Sequence, residues 1–224
     1  MRILALDGSL ARASAALWVE GAVVARQEVV GDRVQPTALP VMADELLREA
    51  GRRLDAVAVV VGPGSFTGLR AAIALAEGIA LGLGVPVVGV TTGEALAAAL
   101  PEKMRAAREV WAAVDTKRGR CALERIAPGG WVAAAPAVFA ERELPQPLGP
   151  VAVTGDAAPM VAARLLARGF DAVLTDSRIP DAGAVACVAA RRLAGGIPPR
   201  SGAPLYQEPP AVRDAEPPAV RLPG

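Results

Sequence analysis

Apolar runs and turn residues alternate along the chain closely enough to predict most of its elements. Residues 3–6 form a short apolar strand that stops at the turn signal Asp7-Gly8-Ser9. Residues 14–20 and 22–30, joined at Glu20-Gly21, read as a hairpin of half-buried strands. A helix opens at Pro36-Thr37, with Pro40 tolerated in its first turn. Leu39, Met42, Ala43, Leu46 and Ala50 fall on one face of it before Gly51 ends it. The unbroken apolar run 56–61 predicts a strand covered on both faces. A glycine-rich turn, an alanine-rich helix over 67–83, a strand over 87–90 and a helix over 92–100 follow.

The second half repeats this order. Strands are expected at 110–114, 120–127 and 131–139, with turns at Lys117-Arg118-Gly119 and Pro128-Gly129-Gly130. A short helix near 140–144, a strand at 151–154, a helix at 157–168, a strand at 171–174 and a helix at 181–194 complete it. Two runs of β-β-β-α-β-α-β-α predict an α/β protein with the duplicated actin-like (ribonuclease H-like) fold, in which nucleotide sits between the halves. The expected division is an N-terminal half over 1–103, a C-terminal half over 104–197, and a proline-rich extended tail over 198–224.

Composition narrows the chemistry. With 53% apolar and 21% charged residues the chain can build a full core. It has no histidine, which removes Ser-His-Asp and Cys-His triads, an imidazole base and every histidine-containing metal site. Twenty-four Lys+Arg against 23 Asp+Glu leave a net charge of +1, without the basic excess of a protein that binds tRNA alone. Cys121 and Cys187 are too few for a disulfide framework. An aspartate at position 7 comes too early for a secretory leader, so a cytoplasmic, reduced protein is expected. The mean hydropathy is +0.36, and the run 71–90 carries one charge, Glu77. A spanning helix needs about 20 apolar residues. Gly82, Gly84 and Pro86 break this run, so it reads as a buried helix, a turn and a buried strand rather than a membrane span.

Candidate chemistry clusters at two glycine turns. Asp7-Gly8-Ser9 stands where the actin-like fold has its first phosphate turn, and a glycine there lets backbone approach phosphate. The plainer reading is a strand-ending turn capped by Asp7, since Leu10-Ala11-Arg12 bring no further glycine or hydroxyl. The segment Gly62-Pro63-Gly64-Ser65-Phe66-Thr67-Gly68-Leu69-Arg70 joins a buried strand to a helix, with Ser65 or Thr67 placed to cap it. It lacks the lysine of a P-loop and the spacing of a dinucleotide fingerprint. Spacing alone leaves anion binding and simple capping equally open. An ATP-dependent kinase or acyltransferase would have Asp7, Asp115 and Asp156 as its acidic candidates, although Asp156, in Thr154-Gly155-Asp156, suits a helix cap. A peptidase without histidine would need a Ser-Lys pair, and Lys103 and Lys117 lie in polar, loop-like stretches. Lys117-Arg118-Gly119-Arg120 is either a phosphate contact or a solvated hairpin tip.

The block Gly62 to Arg70 resembles the hallmark of the bacterial TsaB family, the non-catalytic subunit of the tRNA threonylcarbamoyladenosine synthase. Weaker likenesses lie in order along the rest of the chain: Ile3-Leu4-Ala5-Leu6-Asp7, Leu39-Pro40, Gly89-Val90-Thr91-Thr92, Val114-Asp115 with Arg118-Gly119, and Pro204-Leu205-Tyr206. The chain departs from the family at Gly8, where a hydroxyl residue is usual, at Val34-Gln35, where many members have a histidine, and at Arg120 and Ala122. The resemblance implies a scaffold with no active site, metal or cofactor of its own. It implies a catalytic partner of the same fold that holds the metal and ATP or threonylcarbamoyl-adenylate, and a small P-loop ATPase as third component. It further implies tRNA reached only through the complex and no membrane, and leaves open a monomer or a homodimer when the chain is alone.

The resemblance implies that the first two helices form the pairing surface; the other reading packs the small face of the second helix inside this same chain. At 100° per residue, Ala71, Ala74, Leu75, Gly78 and Gly82 share one side of the second helix. Leu39, Met42 and Leu46 of the first are expected to flank the contact.

Overall fold

Two five-stranded sheets of matching internal order carry the fold of this computed structural model, which describes residues 1–31 and 33–205. The first half runs β1 (Arg2–Asp7), β2 (Arg12–Val19), β3 (Ala22–Val30), α1 (Gln35–Glu49), β4 (Ala56–Gly62), α2 (Phe66–Leu83), β5 (Val87–Thr91) and α3 (Thr92–Ala98). A short α4 (Glu102–Ala107) leads into the second half. That half runs β6 (Glu109–Asp115), β7 (Arg120–Ile126), β8 (Ala137–Ala140), β9 (Val151–Thr154), α5 (Ala158–Ala167), β10 (Ala172–Leu174) and α6 (Ala182–Leu193). The sheet orders are β3-β2-β1-β4-β5 and β8-β7-β6-β9-β10. In each, the first three strands pair antiparallel and the remaining contacts are parallel. The duplicated fold expected from element order is therefore present.

The second half departs from the sequence expectation at its third strand, while the short helix expected near 140–144 is present. Its third strand is only Ala137–Ala140, because Trp131 leaves the sheet edge and lies flat between two guanidinium groups, Arg105 at 3.9 Å and Arg191 at 3.8 Å from the ring centroid. Where the first half has the fifteen-residue α1, the second has a single 3-10 turn, Glu141–Glu143. The helix α4, six residues long, was too short to leave a periodic signal, and it places Lys103 on a helix rather than in a loop.

The terminal helices cross between the sheets. Ala182, Val185, Ala186, Val188 and Ala189 of α6 join the core of the first half, alongside β1 and β4. In return, Ala97 and Leu100 at the end of α3 pack with Val110, Ile126 and Ala152 of the second. A buried ion pair holds the crossing: Arg192 Nη2 lies 2.7 Å from Glu94 Oε1. The same Glu94 closes a capping box on α3, its Oε2 accepting from Thr91 N at 2.8 Å and its own N donating to Thr91 Oγ1 at 3.1 Å. By length and composition α2 is apolar enough to cross a membrane, with a third of it buried. It stops at Gly84, φ 68°, and the chain turns straight into β5, the helix, turn and strand that the sequence predicts.

Candidate functional site

The block Gly62 to Arg70 is built as a lid on the turn between β1 and β2. Ser65 N donates to Ser9 O at 2.7 Å, and Thr92 Oγ1 donates to Pro63 O at 2.5 Å, so the loop is held from both sides. Its glycines sit where backbones touch. A Cβ on Gly64 would lie 2.3 Å from Ser9 O, and one on Gly68 would lie 2.1 Å from Gly8 O. Real Cβ atoms do not come that close, so the turn and the loop require glycine in both partners. Ser65 is the N-cap of α2, accepting from Gly68 N at 3.4 Å, while Thr67 is exposed inside the helix. Capping, rather than an open anion cradle, is what this segment does.

Asp7, Gly8 and Ser9 are all buried. Ser9 spends its N–H and hydroxyl on Asp7 Oδ1, at 2.9 and 2.7 Å, and its carbonyl on the lid. Burial pushes the Asp7 carboxyl up to about 6 against these two hydrogen bonds, and its Oδ2 is buried without a partner. The next residue, Leu10, is 7% exposed and packs with Val114, Ala122, Val138 and Ile179 of the second half. Gln35, at the position where the family resemblance would put a histidine, donates from Nε2 to Leu10 O at 2.7 Å. A nucleotide phosphate does not fit this turn. The N–H and hydroxyl of Ser9 are used, the carbonyls of Gly8 and Ser9 lie against Gly68 and Gly64, and the seam beyond is filled by Leu10.

The other acidic candidates stand elsewhere. Asp115 and Asp156 meet at the end of β6, where Asp115 N donates to Asp156 Oδ1 at 2.8 Å. Lys117 Nζ bridges them, at 3.0 Å from Asp115 Oδ2 and 3.7 Å from Asp156 Oδ2. Burial raises Asp156, whereas Asp115, despite some burial, is held below its usual value by the Lys117 amide and ammonium. The N-cap position of α5 is Ala157, so Asp156 works mainly on β6 and Lys117 rather than as the expected cap. Among the described residues no three Cys, Asp or Glu side chains are arranged to hold a metal ion. Cys121 is buried, its thiol pushed up to about 11 by that burial, and Cys187 is half-buried; both are free thiols.

On the opposite side α2 presents its second face outward. Leu69, Ala72, Ile73, Ala76 and Ala80 are buried against the sheet. Ala74, Gly78 and Gly82 are exposed, Ala71 and Leu75 are half-buried, and a Cβ on Gly78 or Gly82 would meet nothing within 4 Å. Leu81 is 87% exposed and Val41 of α1 is 59% exposed. Leu39, Met42 and Leu46 do not share this face: at 1%, 4% and 0% exposure they belong to the core under α1. The apolar spacing that marked them as an interface is the spacing of the inward stripe, and the outward residue of α1 is Val41. A groove of about 860 Å³ between the halves is lined by Arg12, Arg26, Asp176, Arg178 and Asp181 among others. Sequence reading missed it because its residues come from separate elements; within it Arg26 pairs with Asp181 at 2.7 Å, whereas Arg178 Nη1 is buried without a partner.

Comparison with known proteins bears on this geometry. The family described as tRNA N6-adenosine threonylcarbamoyltransferase (TsaD) matches residues 34–127. The tRNA threonylcarbamoyladenosine biosynthesis protein TsaB of Escherichia coli is 40% identical over 122 residues, 53% of this chain and 52% of that protein. The protein of the same name from Haemophilus influenzae is 36% identical over 120 residues, 52% and 50% of the two chains. The chain thus spans about half the length of the curated relatives it matches. The solved structure of YeaZ from Pseudomonas aeruginosa has a TM-score of 0.76 at 28% identity, covering 92% of this chain and 99% of that one.

Proposed function

We propose that this chain, whose likenesses support the TsaB family, serves in the synthesis of N6-threonylcarbamoyladenosine in tRNA as a scaffold subunit without its own active site. The observation that carries the reading is the closed first turn: Ser9 and Gly8 lie under Gly64 and Gly68, where a working member of the fold would admit phosphate. In this reading the chain pairs with a catalytic homologue of the same fold through the outward face of α2, including Ala74, Gly78 and Gly82, with Val41 of α1 beside it. A small P-loop ATPase completes the set, tRNA is held by the complex, and the whole works in the cytoplasm. A net charge of +1 is in keeping with a subunit that does not hold RNA alone. The halves 1–103 and 104–197 act as one scaffold, since α3 and α6 cross between them. The test is reconstituted modification of tRNA with each subunit omitted in turn. Omitting this chain should abolish modification, and the chain alone should transfer nothing. Undiminished modification without it would overturn the reading.

A further inference from the structure

The groove between the halves takes its walls from both of them. Arg12 of β2 and Arg26 of β3 meet the first turn of α6 there, and residues 174–179 line it from the second half. Pro101 and Met104, at the start of α4, add an apolar stretch. Its volume of about 860 Å³ falls within the roughly 300–1,000 Å³ that holds a small organic molecule. It is separate from the two glycine turns and the acidic candidates. Asp7, Ser9, Asp115, Lys117 and Asp156 do not line it, and Ile179, which does, packs on Leu10 in the seam between.

Three arginines line the groove, and the chain answers two of them. Arg26 Nη1 lies 2.7 Å from Asp181 Oδ2. Arg12 Nη1 donates to Glu28 Oε2 at 3.1 Å, and its Nη2 donates to the carbonyls of Ile179 and Pro180. Arg178 is the exception. It is half-buried, it has no hydrogen bond or ion pair among the described residues, and its Nη1 is buried without a partner. Asp176, two residues away, is exposed and pairs with none of the three, so water screens it while Arg178 stays uncompensated. The first turn of α6 offers an anion no rival seat, because Asp181 Oδ1 already accepts from Gly183 N at 2.8 Å and Ala184 N at 3.3 Å. A guanidinium drawn from water is best satisfied by a carboxylate or phosphate, which takes two parallel N–H···O bonds from it. The segment that carries Arg178 is also held in place beforehand. Ser177 Oγ donates to Leu96 O at 3.1 Å, and Thr175 N donates to Val153 O at 3.0 Å, so little ordering is left for a ligand to impose.

We infer that this groove binds a small organic acid, with its carboxylate or phosphate head on Arg178 and its apolar body along Pro101, Met104 and Leu174. The site stands on this chain alone and does not depend on the tRNA reading. A ligand held there touches both halves, so it stabilises them together.

Benzoate and phenyl phosphate carry the two kinds of head on one apolar body, and benzyl alcohol is their uncharged counterpart. Each is titrated at low salt into the ¹⁵N-labelled full chain and followed by amide NMR shifts. At least one acid should give saturable shifts centred on Ser177, Arg178 and Ala184, whereas benzyl alcohol should not, and the tighter acid tells carboxylate from phosphate. Arg178→Gln should weaken that acid about tenfold or more, the loss expected for a charged hydrogen-bond pair. It should keep the parent's urea midpoint, since no partner within the chain is lost. No saturable shift with either acid would overturn the site, as would an equal response to benzyl alcohol or an Arg178→Gln chain that binds the acids as the parent does. A lowered urea midpoint for Arg178→Gln would overturn it too, by showing that the guanidinium is already satisfied within the chain.

Discussion

Gly68 and Gly8 leave each other no room for a side chain. A Cβ on Gly68 would lie 2.1 Å from Gly8 O, and one on Gly8 would lie 2.8 Å from Gly68 O. The family block and the first turn are thus two halves of one backbone contact.

Gly68→Ala should therefore destabilise the fold strongly, by about 2–4 kcal/mol, because backbone rather than a flexible side chain must move. Gly78→Ala is the opposite case: the site is helical, exposed and open for 4 Å around its Cβ. It should stabilise the chain by about 0.5–1 kcal/mol. Urea unfolding of the two variants beside the parent chain measures both. Equal midpoints for Gly68→Ala and the parent would show that the turn and lid can part at no cost.

This contact marks the limit of what the sequence discloses. Strand and helix positions were legible because apolar runs and turn residues report local geometry, as at residues 56–61 and Gly84. The block 62–70 announced a glycine-dependent turn, but not that its partner was Gly8, since no local pattern encodes a contact between residues 60 apart in the chain. The same holds for Leu39, Met42 and Leu46. A helical stripe says that a face is buried, not by what, and here the sheet of the same chain buries it. Trp131 misled for a different reason: its β-forming tendency is outweighed by stacking between Arg105 and Arg191.

Glu124 predicts a pH dependence. It stands on β7 with its Oε2 accepting from Gly93 N at 2.6 Å, and burial, opposed by hydrogen bonds from Thr91 and Gly93 and by Arg200, pushes its carboxyl up to about 8; the charge of Glu94 adds to the rise. The folded protein then holds a proton that the unfolded chain releases near the ordinary value of 4.5. Stability from this group is complete below about 4.5 and falls as pH rises toward 8, by up to about 1.4 kcal/mol per pH unit. Glu124→Gln keeps the acceptor and removes the titration. Its stability should decline less steeply than the parent's from pH 5 to 8, the slope left below about pH 6 being that of the buried Asp7 carboxyl, as followed by denaturant midpoints across that range. Parallel curves for the two would mean that Glu124 is ionised when folded.

The isolated chain should bind tRNA only in the range of non-specific contacts, about 10⁻⁴ to 10⁻⁶ M at physiological salt, and without preference among tRNAs. The basis is the balance of 24 basic against 23 acidic residues. Filter binding across several salt concentrations measures it. Submicromolar, selective binding by this chain alone would contradict the prediction.

The proposed pairing face yields the sharpest contrast between two kinds of substitution. Leu39 is 1% exposed in the core, so Leu39→Ala should cost about 2–5 kcal/mol of stability and lower pairing only by unfolding the chain. Gly78 lies on the open face of α2, with Gly82 one turn on, a small-x-x-x-small spacing that lets a second helix approach closely. The Cβ that Gly78→Leu adds meets no atom within 4 Å on this exposed face, and leucine replaces a poor helix former with a good one, so the monomer should fold at least as well as the parent. Against a partner helix the same side chain would stand in the contact. Circular dichroism and co-elution with the catalytic homologue, run on one sample, separate these effects. Gly78→Leu should keep its helical signal and lose co-elution, whereas Leu39→Ala should lose its unfolding midpoint first. A folded Gly78→Leu chain that still co-elutes in full would move the partner off α2 altogether.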